Sequence, residues 1–246
     1  FVGNNPASEV YVRNKIKACE EVGIKSYLCK LPEESTFEDV ANTIKQLNEN
    51  PDVSGMILQL PIPKHLDENK LIDLIAPEKD VDGCTAALKG RLWTGRDSLI
   101  ACTPYGVMKL LDFYNIPLEG KNAVVVGRSN LVGKPMAQLL LDRNCTVTLC
   151  HSRTKNSKDI TRGADIVVVA IGKAKFLKAD MVREGAVVVD VGMDRDENGK
   201  LCGDVDFESV SPKCSYITPV PGGVGPMTVT MLIANTLQTY KNSCLK

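Results

Sequence analysis

The sequence predicts an α/β protein of two lobes, one of them built on a parallel sheet. Three observations carry this. Helix and strand signals alternate along most of the chain. The strand-like runs of the second half are apolar on both faces, as strands covered by helices must be. The chain has 246 residues, 43% hydrophobic and 24% charged, which is long for one modest domain and supplies apolar side chains for two cores.

Taken in order, Asn5 followed by Pro6 suits a helix cap and the first helical position. A helix runs from there through Tyr11 and Lys15 to a stop at Gly23. Residues 26–31 read as a short strand, and residues 36–47 as a helix with apolar residues at helical spacing. The run VSGMILQL, residues 53–60, reads as a buried strand closed by Pro61 and Pro63. A short helix over residues 66–75 leads into the turn PEKDVDG. Thr103-Pro104 opens another helix, through Leu111 to Tyr114. Residues 123–126 form a strand running into Gly127, and a helix follows over residues 132–141. Further strands fall at 146–150, 165–171 and 186–191, and Pro226 begins a last helix that reaches about Tyr240. The natural division is a first domain of residues 1–103, completed by the C-terminal helix 226–246, and a second domain of residues 104–225.

Composition removes several classes of function. Thirty basic residues balance thirty acidic ones and no basic run stands out, so no nucleic-acid footprint is expected. No apolar run reaches the length of a membrane span. The nine cysteines form no CxxC pair, and with only His65 and His151 beside them no metal centre is expected. Their odd number and apolar surroundings suit free thiols in a reducing compartment, hence a cytoplasmic protein. The chain opens on Phe1-Val2-Gly3 without an initiator Met, and these residues read as the end of a strand.

The second lobe has the outline of a dinucleotide site. A strand that ends in a glycine turn before a helix presents free N–H groups and a positive dipole to phosphates. The turn here is GRSNLVG, from Gly127 through Arg128 and Ser129 to Gly133, and it departs from GxGxxG at the second glycine. An NAD site places an acid at the end of the next strand to hold the ribose 2′-OH. This chain has His151, Ser152 and Arg153 there. Arg128 and Arg153 can each grip a 2′-phosphate, which favours NADP, although arginines on loops are also ordinary surface residues.

In the first lobe Ser8, Tyr11 and Lys15 share one helix face. Such a pattern is common on amphipathic helices, and Lys15 gains interest if it faces a cleft, where partial burial would suit it to general-base work. Gln59 ends a strand, where open α/β sheets place ligands. Asp80 and Asp82 precede a glycine turn; acidic turns are usually solvated, yet a carboxylate in a cleft accepts two hydrogen bonds from an amino-pyrimidine edge. The loop TPVPGGVGPMT is rigid, and its Gly222-Gly223 lets backbone approach a flat ligand.

The segments NPASEVYVRNK, QLPIP, PEKDVDG, CTPYG, GRSNLVGKP, GDVDF and TPVPGGVGPMT span residues 4 to 228 in register. Together they resemble the bifunctional methylenetetrahydrofolate dehydrogenase/methenyltetrahydrofolate cyclohydrolase family. The resemblance implies an α/β folate-binding lobe and a Rossmann-like NADP-binding lobe with a cleft between them. It implies oxidation of 5,10-methylenetetrahydrofolate to the methenyl form with NADP, then hydrolysis to 10-formyltetrahydrofolate. It further implies that Lys15 is the catalytic lysine, that Gln59 hydrogen-bonds and tunes it, that Tyr11 stacks on the aminobenzoyl ring and that Asp82 anchors the pterin. Gly127, Arg128, Ser129, His151, Ser152 and Arg153 then form the NADP set, and Pro221, Gly222 and Gly223 the loop beside pterin and nicotinamide. The partner is a small-molecule folate, and the family is typically a homodimer through the nucleotide lobe. The chief departure is at the start, where the family has an opening helix and most of a strand before FVG. Competing readings are an NAD-dependent dehydrogenase-only relative, a two-lobe dehydrogenase of shikimate or amino-acid type, and an inactive folate-binding fragment.

Overall fold

The computed structural model describes residues 1–245, and every side chain among them except that of Ala7. The chain divides into two compact units, Phe1–Cys102 with Val229–Lys246, and Thr103–Thr228.

The first unit is mostly helical. Helix α1 spans Pro6–Glu21 because Pro6 presets its first turn and the Asn5 side chain accepts from Ser8 N. Helix α2, Phe37–Glu49, begins in a reciprocal capping box between Thr36 and Asp39. Helix α3 is short, Glu68–Ile72, with Asp67 as its cap. Helix α4, Ala86–Trp93, capped by Thr85, carries no strong apolar period and was not expected from the sequence. The core of this unit joins Val40 and Ile44 of α2 to Met56, Leu58, Leu71 and Ile75.

Two expected strands do not form ladders. Over residues 26–31 and 53–60 the pairing is reduced to the bridges Val2↔Leu31 and Met56↔Asp80. An extended run becomes a strand only when its successive N–H and C=O groups meet a neighbour. Here residues 25–29 and 53–57 instead line a cavity of about 850 Å³, together with Val12 and Ile16 of α1.

Helix α5, Cys102–Phe113, leads into the second unit, whose elements then alternate. Strand β1 is Asn122–Val126, helix α6 Gly133–Asp142, strand β2 Thr146–Cys150 and helix α7 Ser157–Arg162. Strand β3, Ile166–Val169, and strand β4, Ala186–Asp190, are buried at every position. A small antiparallel hairpin pairs β5, Asp194–Arg195, with β6, Leu201–Cys202. Helix α8, Phe207–Val210, and strand β7, Cys214–Ile217, complete the unit before helix α9, Val224–Cys244. Among the described residues no helix is long and apolar enough to cross a membrane.

The five-stranded sheet runs β2-β1-β3-β4-β7, every pair parallel. From β1 the chain steps outward through α6 to β2, then crosses back through α7 to β3 on the other flank of β1. The winding therefore reverses between β1 and β3, and open α/β sheets bind ligands beyond the carboxyl ends of strands at such a point. The core packs Val124, Val167, Val169 and Val188 of the sheet with Leu177 and Val182. Strand β2 departs from the all-apolar expectation: Thr146, Thr148 and Leu149 are exposed because it is an edge strand.

Helix α6 starts unusually close to the turn before it. A Cβ on Gly133 would collide with Gly127 O, and one on Gly127 would collide with Ala170 O. Gly90, in α4, has open space where its Cβ would stand. Gly133→Ala is therefore expected to cost about 1–3 kcal/mol by overpacking, whereas Gly90→Ala should stabilise by about 0.5–1 kcal/mol. Urea unfolding of both variants checks this; equal effects would contradict the packing described.

Candidate active site

In the first unit, α1 is pinned to the QLPIP segment by hydrogen bonds that meet at one carbonyl. Ser8, 1% exposed, points its Oγ at Leu60 O at 3.5 Å, and Gln59 Nε2 donates to the same oxygen at 2.7 Å. The Leu60-Pro61 peptide that follows is cis. With its amide thus oriented, Gln59 turns Oε1 toward α1 and accepts from Lys15 Nζ at 3.1 Å. Lys15 and Gln59 are both half-buried and both line the 850 Å³ cavity. Tyr11, one turn earlier, is 41% exposed and lies outside that lining.

Asp82 sits on a turn fastened from several sides. Lys79 Nζ donates to Leu47 O, Asn48 O and Asn50 O, which ties the turn to the end of α2. Met56 N donates to Lys79 O at 2.8 Å. Asp80 is buried; its Oδ2 accepts from Thr85 N at 2.6 Å, while Oδ1 has no partner, and burial pushes its carboxyl up. On the other flank, Val81 O accepts from Cys102 Sγ at 3.3 Å and from Asn235 Nδ2 at 2.9 Å. The Cys102 thiol is pushed up by burial, then by the charge and hydrogen bond of Asp82, while Lys15 pulls the other way. Cys102 is thus a neutral donor rather than a nucleophile. Lys15, Gln59, Asp82 and Cys102 form one neighbourhood within the first unit.

Neither Cys102 nor Asn235 was singled out from sequence. The first lies in the CTPYG segment, which gave a signal, but a lone cysteine in an apolar run reads as core. Asn235, 3% exposed on α9, acts across more than 130 positions of chain by donating also to Ile100 O at 2.9 Å, and no local pattern reveals that. Cys84, also without an assigned role, is buried with its Sγ on Asp82 O at 3.5 Å, and burial pushes its thiol up as well. None of the nine cysteines is disulfide-bonded, and among the described residues no cluster of potential metal ligands is found.

In the second unit, the turn GRSNLVG lies at the carboxyl end of β1, beside the reversal of winding. Gly127 adopts φ +124° and donates its N–H to Cys150 O at 2.8 Å. Ser129 caps α6: its Oγ accepts from Val132 N at 3.1 Å and Gly133 N at 3.3 Å, which leaves the hydroxyl proton to donate elsewhere. Beyond β2, Thr154 N donates to His151 O at 2.8 Å and Arg153 N to His151 Nδ1 at 3.1 Å, so His151 shapes the turn that carries Ser152 and Arg153. Arg128, Ser152 and Arg153 are exposed, and among the described residues neither arginine forms an ion pair. A glycine cradle that no Cβ could enter, a helix N-terminus and two uncommitted guanidiniums fit a phosphorylated dinucleotide. Pro221, Gly222 and Gly223 belong to this second unit, with Val220-Pro221 cis and Gly222 at φ +97°.

Comparison with known proteins places this chain. Residues 1–82 match the tetrahydrofolate dehydrogenase/cyclohydrolase catalytic domain, and residues 101–244 match the tetrahydrofolate dehydrogenase/cyclohydrolase NAD(P)-binding domain. The bifunctional protein FolD of Burkholderia lata is 58% identical over 243 residues, 99% of this chain and 85% of the relative. The crystal structure of the bifunctional enzyme FolD, methylenetetrahydrofolate dehydrogenase/cyclohydrolase, from Campylobacter jejuni is 51% identical with a TM-score of 0.96, covering 98% of this chain and 86% of the other. The methylenetetrahydrofolate dehydrogenase-cyclohydrolase of Trypanosoma brucei, solved with NADP cofactor and an inhibitor, is 38% identical with a TM-score of 0.94, covering 99% of this chain and 85% of the other. On this likeness, which runs through both units, the chain belongs to the tetrahydrofolate dehydrogenase/cyclohydrolase family.

Proposed function

We propose that this chain oxidises 5,10-methylenetetrahydrofolate to the methenyl form with NADP, then hydrolyses the methenyl form to 10-formyltetrahydrofolate. The single observation that carries the reading is the Lys15–Gln59 hydrogen bond, beside Asp82, in a chain of this family. When bound, NADP supplies a nicotinamide that takes up the hydride. The chain's task in that step is orientation, since the nitrogen next to the reacting carbon already stabilises the cation. Tyr11 presents its ring from α1 to the aminobenzoyl group, and Asp82 accepts hydrogen bonds from the pterin's amino-pyrimidine edge. Pro221, Gly222 and Gly223 let backbone lie against the flat rings.

Hydrolysis asks more of the side chains, because water must be activated and the tetrahedral intermediate must shed a proton. Lys15 Nζ is the group that takes and returns that proton. Gln59 Oε1 holds the ammonium in one direction, and Leu60 O in turn fixes Gln59 through Nε2. On the second unit, Gly127 and Ser129 meet the phosphates, His151 shapes the loop, and Arg128, Ser152 and Arg153 take the 2′-phosphate. The sequence's lack of an acid at the end of β2 supports NADP over NAD. Nine free cysteines and FolD relatives support a cytoplasmic setting. A homodimer through the second unit is supported by the open edge of β2, where Leu149 is exposed, and sedimentation velocity measures it.

Steady-state assays of two variants test the assignments. Lys15→Ala should lower hydrolysis of added methenyltetrahydrofolate about 10²-fold or more, and unchanged hydrolysis would remove Lys15 from its role. Arg128→Ala should raise the KM for NADP about tenfold, the loss of one charge-assisted hydrogen bond, and leave that for NAD within about twofold. Equal loss for both cofactors would overturn the 2′-phosphate assignment.

A further inference from the structure

The GDVDF segment is not part of the site described so far, yet Asp204 within it is fully buried at the carboxyl edge of the sheet. Three backbone N–H groups converge on its carboxylate. Oδ2 accepts from Ile171 N at 2.7 Å and Gly172 N at 3.3 Å, and Oδ1 accepts from Lys173 N at 2.5 Å. These donors form the turn leaving β3, one of the two strands between which the winding reverses. The same turn begins at Ala170, whose N–H donates to Val126 O at 2.8 Å and whose carbonyl lies so near Gly127 that only a glycine fits. The carboxylate thus fixes one wall of the crevice whose other wall is GRSNLVG.

A second carboxyl stands against it. Asp194, on β5, is within hydrogen-bond reach of Asp204, and its Oδ2 is buried with no donor. Two bare carboxylates in this position would repel in a weakly screened setting. Asp204 has two N–H donors on Oδ2 and one on Oδ1, so a carboxylate with about four acceptor sites has one left. A proton on Asp194 fills that site and ends its own isolation. The remaining charged and titratable neighbours do not supply that proton. Asp190, on β4, accepts from Gly192 N, Asp204 N and Val205 N, and burial pushes it up to about 6. On the hairpin are Asp196 and Cys202, and Lys175 is engaged with Asp196 at 3.9 Å.

We propose that a proton on Asp194 bridges to Asp204, and that Asp204 is the positioning residue for the 171–173 turn of the NADP crevice. The proposal rests on the cofactor reading of the second unit. Burial, then the charge of Asp204, raise Asp194 above the ordinary aspartate range. The protonated form is therefore the one the fold favours, and the pair is intact on the acid side and lost as pH rises through the folded value of Asp194.

The test compares wild type, Asp194→Asn and Asp204→Asn. In Asp204→Asn an N–H₂ replaces one of the two accepting oxygens and faces the one or two N–H donors that oxygen held, so the KM for NADP should rise about tenfold or more, while cofactor-free hydrolysis of methenyltetrahydrofolate stays within about twofold. A carbon-13 NMR titration of aspartate carboxyls should show, besides the raised Asp80 and Asp190, one further residue losing its proton above the ordinary range, absent in Asp194→Asn. Over that step the wild-type KM for NADP should climb, and the Asp194→Asn profile should be flat, because its amide is a donor at every pH. The proposal is overturned if Asp204→Asn lowers both activities alike, if no such titration is lost in Asp194→Asn, or if the two KM profiles coincide. Should Asp204→Asn fail to fold, the titration and the two profiles decide between these outcomes. A wild type that hydrolyses methenyltetrahydrofolate but never reduces NADP would instead sink the cofactor reading.

Discussion

At the carboxyl edge of the five-stranded sheet the chain must turn while it is still buried, and each turn leaves N–H groups that no ladder can satisfy. Asp190 and Asp204 answer this constraint by accepting three backbone N–H groups each. Asp190 ends β4 and holds the 203–205 segment; Asp204, so placed, holds the turn after β3. That turn sets the position of Ala170, against which Gly127 packs, and Gly127 in turn allows Gly133 to start α6 at close range. The cradle for a dinucleotide follows from this sequence of contacts, in which close backbone packing is held by the Asp204 carboxylate and by Ser129 Oγ at the start of α6.

The first unit meets a different requirement with different means. A lysine used for proton transfer has to be kept from swinging freely, and α1 by itself cannot restrain so long a side chain. Ser8 and Gln59 meet at Leu60 O, and Gln59 then reaches Lys15. The Asp82 turn is restrained by Lys79 on one side and by Asn235 with Cys102 on the other. A lysine, an amide and a carboxylate are the groups that the chemistry proposed draws on in this unit.

Much of the second unit was legible because β1, β3 and β4 are short and mostly apolar and β2 is rich in β-branched residues, so β2 was read with both ends correct and β1, β3 and β4 to within a few residues. The N-terminus of α1 was equally plain, since Asn5-Pro6 announces it. The expected strands at 26–31 and 53–60 were misjudged for a physical reason: side-chain pattern reports extended backbone, whereas a strand also needs a partner along its length. Helix α4 and strand β7 were missed, the first because AALKGRLW has little periodicity, the second because CSYI is half exposed. Lys15, Gln59, Arg128 and Arg153 stood out through their place in motifs. Asn235, Cys102 and the Asp194–Asp204 pair act through contacts between distant segments; Cys102 and Asp204 lie in the CTPYG and GDVDF segments, but no local pattern gives their partners.

The measurement closest to the central claim is wild-type turnover of 5,10-methylenetetrahydrofolate, with NADP and NAD in parallel and 10-formyltetrahydrofolate followed alongside the reduced cofactor. The account predicts preferential reduction of NADP, with 10-formyltetrahydrofolate accumulating as the end product. Reduction of NAD in preference to NADP, or a methenyl product that is never hydrolysed faster than in buffer, would contradict it.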